Sequence, residues 1–321
     1  MSPIRVASQL AEPINAEVAR RVSAATGEGA VELTTLPRGV PAEWPRDADV
    51  FVAAPFRRAG GDLPAQPPGW PFNLRWVQLV SVGIDFYPGW LFEGPVVTAA
   101  KRTSATALAE FSLAAIFAAA KRFPDIWVSR AADWQPSPLG LVEGATLGIV
   151  GFGGIGQALA PKALALGMTV LATRRGAGDL GVPGVERVDD VAALFARADH
   201  VVLAAPATAE THHLVNARVL ATAKPGLHLV NVARGALIDD QALLAALAEG
   251  PVSLATLDVT HPEPLPDGHP YYSHPRVRLS PHTSVFTPDT HANLAAQLAH
   301  NLIRFRRGEP LEDVVDLSRG Y

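Results

Sequence analysis

Thr146-Leu-Gly-Ile-Val-Gly-Phe-Gly-Gly-Ile-Gly156 is the stretch on which the rest of the 321-residue chain is organised. Its apolar run, Leu147 to Val150, is short and uninterrupted, as expected of a strand buried on both faces of a parallel sheet. The run enters Gly151-x-Gly153-x-x-Gly156, and apolar residues then recur at helical spacing from Gln157 to Leu166 until Gly167 stops them. Strand, glycine turn and helix in this order form a dinucleotide-binding fingerprint. Gly151 permits the sharp turn, Gly153 removes a side chain that would bar a pyrophosphate, and Gly156 lets helix and strand pack closely. The unpaired amides at the helix start offer donors and a partial positive charge to phosphate oxygens. Glycine turns also occur in α/β proteins that bind no nucleotide; the correct flanks on both sides favour the dinucleotide.

The next strand, Met168 to Ala172, carries the information on which dinucleotide. An acidic residue just past its end would hold the adenine-side ribose hydroxyls. That place falls on position 174, where Thr173 is followed by Arg174 and Arg175. An acid repels a 2′-phosphate, whereas guanidiniums attract one and match its oxygens in pairs. One charged hydrogen bond is worth about 1.5–3 kcal/mol, roughly a tenfold to hundredfold preference. The expectation is NADP(H) as preferred cofactor with NAD(H) also admitted; the alternative is an arginine pair that is merely solvated.

Away from this centre, β/α alternation continues in both directions. Upstream, Ile4–Ala7, Val31–Leu36, Val50–Ala54, Trp76–Val80 and Val96–Thr98 have strand character and Glu12–Ala25 has helix character, which points to a parallel sheet. Arg57 to Pro71 is rich in Pro and Gly and is expected to be a surface loop. Thr103 to Arg122 is Ala-rich, with Leu108, Phe111, Ala115 and Phe117 on one helix, either a core helix or a subunit contact. A Pro-rich connection carrying Trp127 and Trp134 follows. Downstream, helices are expected at Val191–Arg197, Asn216–Ala223, Asp239–Gly250 and His291–Arg306, and strands at His200–Ala204, Leu227–Val232, Ser253–Val259 and Val277–Leu279.

Composition sets limits. A hydrophobic share of 48% with 18% charged residues is that of a globular protein, and the net charge of −4 gives no reason to expect nucleic acid or an anionic membrane as partner. There is no cysteine, so disulfides, thiolate catalysis and thiolate metal sites are excluded. Met1 to Arg21 lacks the apolar core of a signal peptide, and Phe111 to Ala120 is too short to cross a bilayer. A cytoplasmic location is expected.

Three residues just past strand ends have chemistry that hydride transfer on a keto acid would need: Arg234 in Asn231-Val-Ala-Arg-Gly235, Glu263 in His261-Pro-Glu-Pro264, and His282 in Ser280-Pro-His-Thr283. Each alone has a dull explanation: a solvated Arg, a surface Glu, a structural His. Together at the rim of one nucleotide-binding sheet, an arginine can clamp a carboxylate and polarise the neighbouring carbonyl. An imidazolium can donate a proton, an effect worth about 10²–10⁴-fold. A carboxylate beside the ring orients it and favours its charged form.

With these residues in place, the chain resembles the D-isomer-specific 2-hydroxyacid dehydrogenases over nearly its whole length. The likeness is carried by Ser81-Val-Gly-Ile-Asp85, Ala107-Leu-Ala-Glu-Phe111, the glycine fingerprint, Ala205-Pro-Ala-Thr-x-x-Thr211, Asn231 to Asp239, Leu257-Asp-Val through Glu263-Pro264, Pro281-His282, Gly308-Glu-Pro-Leu and Arg319-Gly-Tyr321. The resemblance implies two doubly wound parallel-sheet α/β domains, with a Rossmann cofactor domain (99–284) inserted into a flavodoxin-like substrate domain (1–98 and 285–321). It assigns the substrate arginine to Arg234, the acid/base histidine to His282 and its carboxylate partner to Glu263. The backbone of Val82 and Gly83 is assigned to the substrate carboxylate. The cofactor is expected along Phe152, Gly153, Gly154 and Ile155, the Thr173–Arg175 segment, Ala205, Pro206, Thr211, Val232, Ala233, Arg234, Asp258, His282 and Ser284. Domain closure over the substrate is expected, as is a homodimer through the cofactor domain.

Two departures refine this. Arg174 and Arg175 replace the acid of NAD-using members, which places the chain nearest the NADPH-dependent glyoxylate/hydroxypyruvate reductases. No extra domain is expected after Tyr321, unlike in the longer phosphoglycerate dehydrogenases. Glu263, where formate dehydrogenases of this fold carry an amide, argues against formate oxidation. The expected activity is reduction of a small 2-keto acid to the D-2-hydroxy acid. The alternatives are a dinucleotide-sensing, corepressor-like protein and a dehydrogenase of the same fold working in the oxidative direction. In the substrate domain, Phe56 could set side-chain size and Arg57 could meet a second anionic group, though Arg57 and Arg58 are equally explained as solvated. Trp134 could reach a neighbouring subunit, but packing is the simpler role.

Overall fold

A computed structural model of the protein describes residues 2–56, 62–176, 178–318 and 320. Arg57, Arg58, Arg319 and Tyr321 lie outside the described residues. The chain divides into two compact units, Met1–Ser104 with Thr287–Tyr321, and Ala105–Phe286. Both crossings fall a few residues beyond the expected 98/99 and 284/285. Residues 99–104 stay with the first unit because the Ala99 amide donates to the Asp313 carbonyl and the Ala100 amide to that of Ser81, while Asn293 Nδ2 reaches the Thr103 carbonyl.

The first unit runs β1 (Ile4–Ser8), α1 (Glu12–Thr26), β2 (Val31–Thr35), β3 (Val50–Ala53), β4 (Trp76–Leu79) and β5 (Val96–Thr98). These strands form one parallel sheet in the order β2-β1-β3-β4-β5, the flavodoxin-like order. Side chains alternate between its faces. Val6, Val50, Val52 and Trp76 meet α1 and the chain's last helix, Pro288–Arg307, whereas Ala7, Phe51, Ala53, Val77 and Leu79 face the other way. That second face is covered by aromatic rings rather than a helix: Trp44, Phe56, Trp70 and Trp90 meet edge to face, with Trp70 and Trp90 4.8 Å apart. The stretch expected to be a surface loop therefore contributes a core residue. Trp70 is buried, and the Pro64 carbonyl accepts from Trp90 Nε1.

The second unit begins with α2 (Ala105–Ala120) and continues through β6 (Thr146–Val150), α3 (Gly154–Ala165), β7 (Thr169–Thr173), β8 (Val185–Arg187), α4 (Val191–Arg197), β9 (His200–Leu203), α5 (Ala217–Ala221), β10 (Leu227–Asn231), α6 (Asp240–Ala248), β11 (Val252–Leu257) and β12 (Val277–Leu279). Its seven-stranded sheet has the order β12-β11-β10-β9-β6-β7-β8, and every pair is parallel. The order in which strands are added reverses at β6, flanked by β7 and β9, so the Rossmann switch point lies beside the glycine turn. Leu147, Ile149, Val170 and Val202 pack with α2 and α3; Val150, Leu171, Val201 and Leu229 pack with α4, α5 and α6. Helices thus cover both faces, which is why these strands carry continuous apolar runs.

Three local differences have physical causes. Helix α3 starts at Gly154, so the last fingerprint glycines form its first turn. Edge strand β8 is short and sits in a Gly/Pro context without an apolar run. Trp134, expected to pack, is 76% exposed. The turn before it is held by the exposed Arg130–Asp133 pair, and the Pro-rich chain after it has no core to enter. No described helix is long and apolar enough to cross a membrane.

Candidate active site

The glycine turn is shaped as its spacing demands. Gly151 has φ +93°, and a Cβ there would lie 2.6 Å from the backbone of Ala205, so only glycine lets the β6 and β9 ends approach. Gly156 packs against the Phe152 ring and the Gly151 carbonyl, where a Cβ would stand 2.9 and 3.1 Å away. At Gly153, by contrast, an added Cβ meets nothing within 4 Å. No side chain caps the α3 start there. An open cradle at an uncapped helix N-terminus fits a pyrophosphate. The Phe152 side chain is buried in the core, so only its backbone is available to that cradle.

Around this turn the other predicted cofactor residues take defined places. The Gly151 amide donates to the Thr173 carbonyl (3.1 Å) and lies 3.3 Å from Thr173 Oγ1, tying β6 to the end of β7. Arg174 and Arg175 follow on the exposed loop, with Arg174 Nη1 donating to the Asp179 carbonyl (3.3 Å). Thr211 Oγ1 donates to the Pro206 carbonyl (2.7 Å) and accepts from the Thr208 amide (2.8 Å), so it closes the Ala205–Thr211 turn. Glu210 in that turn is held below the usual carboxylate range, chiefly by the Thr208 hydroxyl, with a contribution from the Arg175 charge.

The catalytic candidates converge at the carboxyl ends of β10, β11 and β12. His282 Nδ1 and Glu263 Oε2 are 3.0 Å apart, each side chain about a quarter exposed. With Glu263 accepting at Nδ1, the ring is oriented, and Nε2 is the atom at which an imidazole held this way exchanges a proton. Arg234 sits one turn past β10. Asn231, fully buried, builds that turn: its Nδ2 donates to the Arg234 carbonyl (2.9 Å) and its Oδ1 accepts from the Ala233 amide (3.0 Å). Val232 and Ala233 are buried, and Arg234 Nη1 returns to the Ala233 carbonyl (2.7 Å). A Cβ on Gly235 would lie 2.0 Å from the Thr260 carbonyl carbon and 2.4 Å from the His261 amide nitrogen. The arginine turn is thus pressed against the segment that carries Glu263.

His282 has φ +50°, a left-handed conformation that costs a non-glycine residue about 1–3 kcal/mol unless its surroundings fix it. Asp258 supplies those surroundings. Its carbonyl accepts the His282 amide (2.8 Å), and its buried carboxylate accepts from Ser280 Oγ (2.6 Å), the Thr283 amide (3.0 Å), the Ser284 amide (3.2 Å) and Ser284 Oγ. Asp258 and Ser284, expected beside the cofactor, are therefore engaged with each other and fix the histidine loop. Sequence reasoning missed Asn231 and Ser280 as supports and Gly235 as a packing necessity, although all three lie in the motifs that carry Arg234 and His282.

Val82 and Gly83 lie in the first unit, after β4. Ser81 Oγ donates to the Gly83 carbonyl (2.7 Å) and is 3.3 Å from the buried Tyr87 hydroxyl, which donates to the Ala53 carbonyl (3.0 Å). Burial pushes the Tyr87 phenol far above its ordinary value, so it stays a neutral anchor. Among the described residues no group of three or more His, Cys, Asp or Glu could hold a metal ion.

Residues 113–284 match the family described as D-isomer specific 2-hydroxyacid dehydrogenase, NAD binding domain. A glyoxylate/hydroxypyruvate reductase A of Serratia proteamaculans is 32% identical over 259 residues, covering 78% of this chain and 82% of the relative. A glyoxylate reductase of Thermococcus litoralis is 33% identical over 295 residues, 85% of each chain. A crystal structure of a D-isomer specific 2-hydroxyacid dehydrogenase from Xanthobacter autotrophicus Py2, in complex with NADPH and MES, superposes with a TM-score of 0.79 at 26% identity, covering 100% of both chains. By sequence and fold, the chain belongs to the D-isomer-specific 2-hydroxyacid dehydrogenases, oxidoreductases with an NAD-binding Rossmann domain.

Proposed function

We propose that the protein is an NADPH-preferring reductase that converts a small 2-keto acid of the glyoxylate or hydroxypyruvate kind into its D-2-hydroxy acid. The observation that carries this reading is the His282–Glu263 contact, set at the strand ends beside the Arg234 turn. The names of the glyoxylate reductase relatives support the substrate class, and Arg174 and Arg175 past β7 support the cofactor.

When bound, the nicotinamide supplies the hydride. The chain supplies the rest. The Arg234 guanidinium offers paired donors to the substrate carboxylate and draws charge from the adjacent carbonyl. His282 holds at Nε2 the proton that the new alkoxide needs, and Glu263 keeps the ring turned. The apolar side chains exposed on the second unit, Trp127, Trp134 and Leu141 among them, support a homodimer through that unit.

The test is oxidation of NADPH and of NADH by glyoxylate, hydroxypyruvate, pyruvate, phenylpyruvate and branched keto acids, with the wild type and an Arg174→Ala/Arg175→Ala variant. The expected result is turnover of glyoxylate and hydroxypyruvate, with a KM for NADPH that rises at least about tenfold in the variant while that for NADH barely moves. Equal shifts for both cofactors would overturn the cofactor assignment, and preference for the large keto acids the substrate class.

A further inference from the structure

Edge strand β8 ends in Arg187, paired in register with Ala172 of β7, one residue before β7 ends at Thr173 and the Arg174–Arg175 loop begins. Its guanidinium is spent almost entirely on that loop. Nη2 donates to the Arg174 carbonyl (3.2 Å) and to the Gly176 carbonyl, Nη1 donates to the Gly178 carbonyl (2.8 Å), and Nε donates to the Asp189 carboxylate (2.8 Å). Four of the five donors of an arginine are thereby placed. Three alternate carbonyls, at 174, 176 and 178, converge on one cation.

This arrangement has two consequences for an anion arriving at the loop. The carbonyls of Arg174, Gly176 and Gly178, which would otherwise present partial negative charge to an anion, are each paired with the Arg187 guanidinium. The same bonds tether the loop to β8. A loop with glycines at 176 and 178 has high intrinsic freedom, and ordering it on binding would consume much of what a charged hydrogen bond returns. Held in advance, Arg174 and Arg175 need lose only side-chain freedom.

We propose that Arg187 is the positioning residue of the 2′-phosphate site: it never meets the cofactor, but fixes the backbone from which Arg174 and Arg175 reach it. This rests on the NADPH reading above. Nothing in the sequence singles Arg187 out, because it lies twelve residues beyond Arg175 in a strand without an apolar run, and only the β7–β8 pairing brings it beneath the loop.

The experiment measures KM for NADPH and NADH, and competitive inhibition by 2′,5′-ADP and by 5′-AMP, in the wild type, Arg187→Ala, Arg187→Lys, Asp189→Asn and the Arg174→Ala/Arg175→Ala variant. Arg187→Ala is expected to raise the KM for NADPH and weaken 2′,5′-ADP inhibition about tenfold. KM for NADH, 5′-AMP inhibition and turnover at saturating NADH should change by less than about twofold. Arg187→Lys should fall between, since an ammonium cannot gather three carbonyls in one plane. Asp189→Asn, at an exposed site that does not endanger folding, should move the same way by a smaller factor and decides the matter if Arg187→Ala does not fold. A purely structural role would weaken both nucleotides together, and that result overturns the proposal. So does unchanged 2′,5′-ADP inhibition. If the double variant loses NADPH selectivity while the Arg187 variants keep it, the positioning role alone falls. If the double variant keeps it too, the NADPH reading itself falls.

Discussion

At the scale of single residues, the candidate site is a set of proposed reactive groups and a second set that holds them. His282, Glu263 and Arg234 were legible in the sequence because a histidine, an acid and an arginine just past parallel strands are chemically conspicuous there. Their supports were not. An aspartate at position 258 looks the same in sequence whether it faces a ligand or its own chain, and only the fold shows four donors of the 280–284 loop converging on it. This division makes a kinetic prediction. His282→Ala removes the proton donor and leaves the Asp258 clamp, so kcat should fall by about 10²–10⁴-fold. The cofactor dissociation constant, followed by nucleotide fluorescence, should stay within about twofold, because no cradle residue has changed. A dissociation constant that rises in step with the loss of kcat would mean that the histidine binds rather than reacts. Asp258→Asn should do the converse, lowering both turnover and thermal stability. A neutral amide presents one acceptor oxygen to donors that the carboxylate satisfies with two, and the left-handed backbone at His282 loses its restraint.

At the scale of elements, strands were easier to place than helix ends. β6, β9 and β10 carry apolar runs that allow no other assignment, and their positions agree to within a residue or two. Helix α3 starts three residues earlier than its apolar spacing suggests, because glycines carry no amphipathic signal even when they form a helix's first turn. β8 was invisible for a related reason: an edge strand of three residues, bordered by Pro183 and Gly184, is defined by its hydrogen bonds to β7 and not by its composition. The glycine turn gives a sharp comparison between neighbours in one loop. Gly151→Ala places a methyl 2.6 Å from the Ala205 backbone at φ +93°, and neither atom set can yield. That substitution should cost at least about 1–3 kcal/mol of stability and lower the melting temperature. Gly153→Ala meets nothing in the protein and should leave the melting temperature unchanged, while KM for either dinucleotide rises, since the methyl occupies the space the pyrophosphate needs. If both variants melt alike and bind alike, the division of labour among the fingerprint glycines is wrong.

At the scale of the whole molecule, the two-unit organisation followed from β/α alternation on either side of the fingerprint and from the family resemblance. The crossings at 104/105 and 286/287 depend on hydrogen bonds between residues some 200 apart in sequence, which no local pattern records. The same holds for a buried pair at the opposite end of the second sheet from the site. His200 and His228, side by side on β9 and β10, place their Nδ1 atoms 3.2 Å apart, and His228 Nε2 lies 3.0 Å from Thr256 Oγ1 on β11. Burial lowers the pKa of both, that of His228 to about 3, with the neighbouring His200 adding to the effect. Asp199, bonded to Lys224, partly opposes the shift at His200. His228 is therefore neutral when folded and His200 takes up a proton less readily than it would in the open chain, while an unfolded chain protonates histidine near its ordinary value of 6.5. As pH falls below 6.5 the unfolded state takes up protons that the folded state refuses, so stability declines with a slope of up to about 1.4 kcal/mol per pH unit for each such histidine. The decline would level off only near pH 3, where His228 itself charges. Depressed carboxylates such as Glu17 begin to contribute only nearer their ordinary 4.5, so the window from pH 6.5 to 5 isolates the imidazoles. Denaturant unfolding across that window should show falling stability in the wild type and a shallower slope in His228→Gln, whatever the variant's absolute stability. Equal slopes would mean that the pair takes up its proton in the folded sheet as readily as in the open chain.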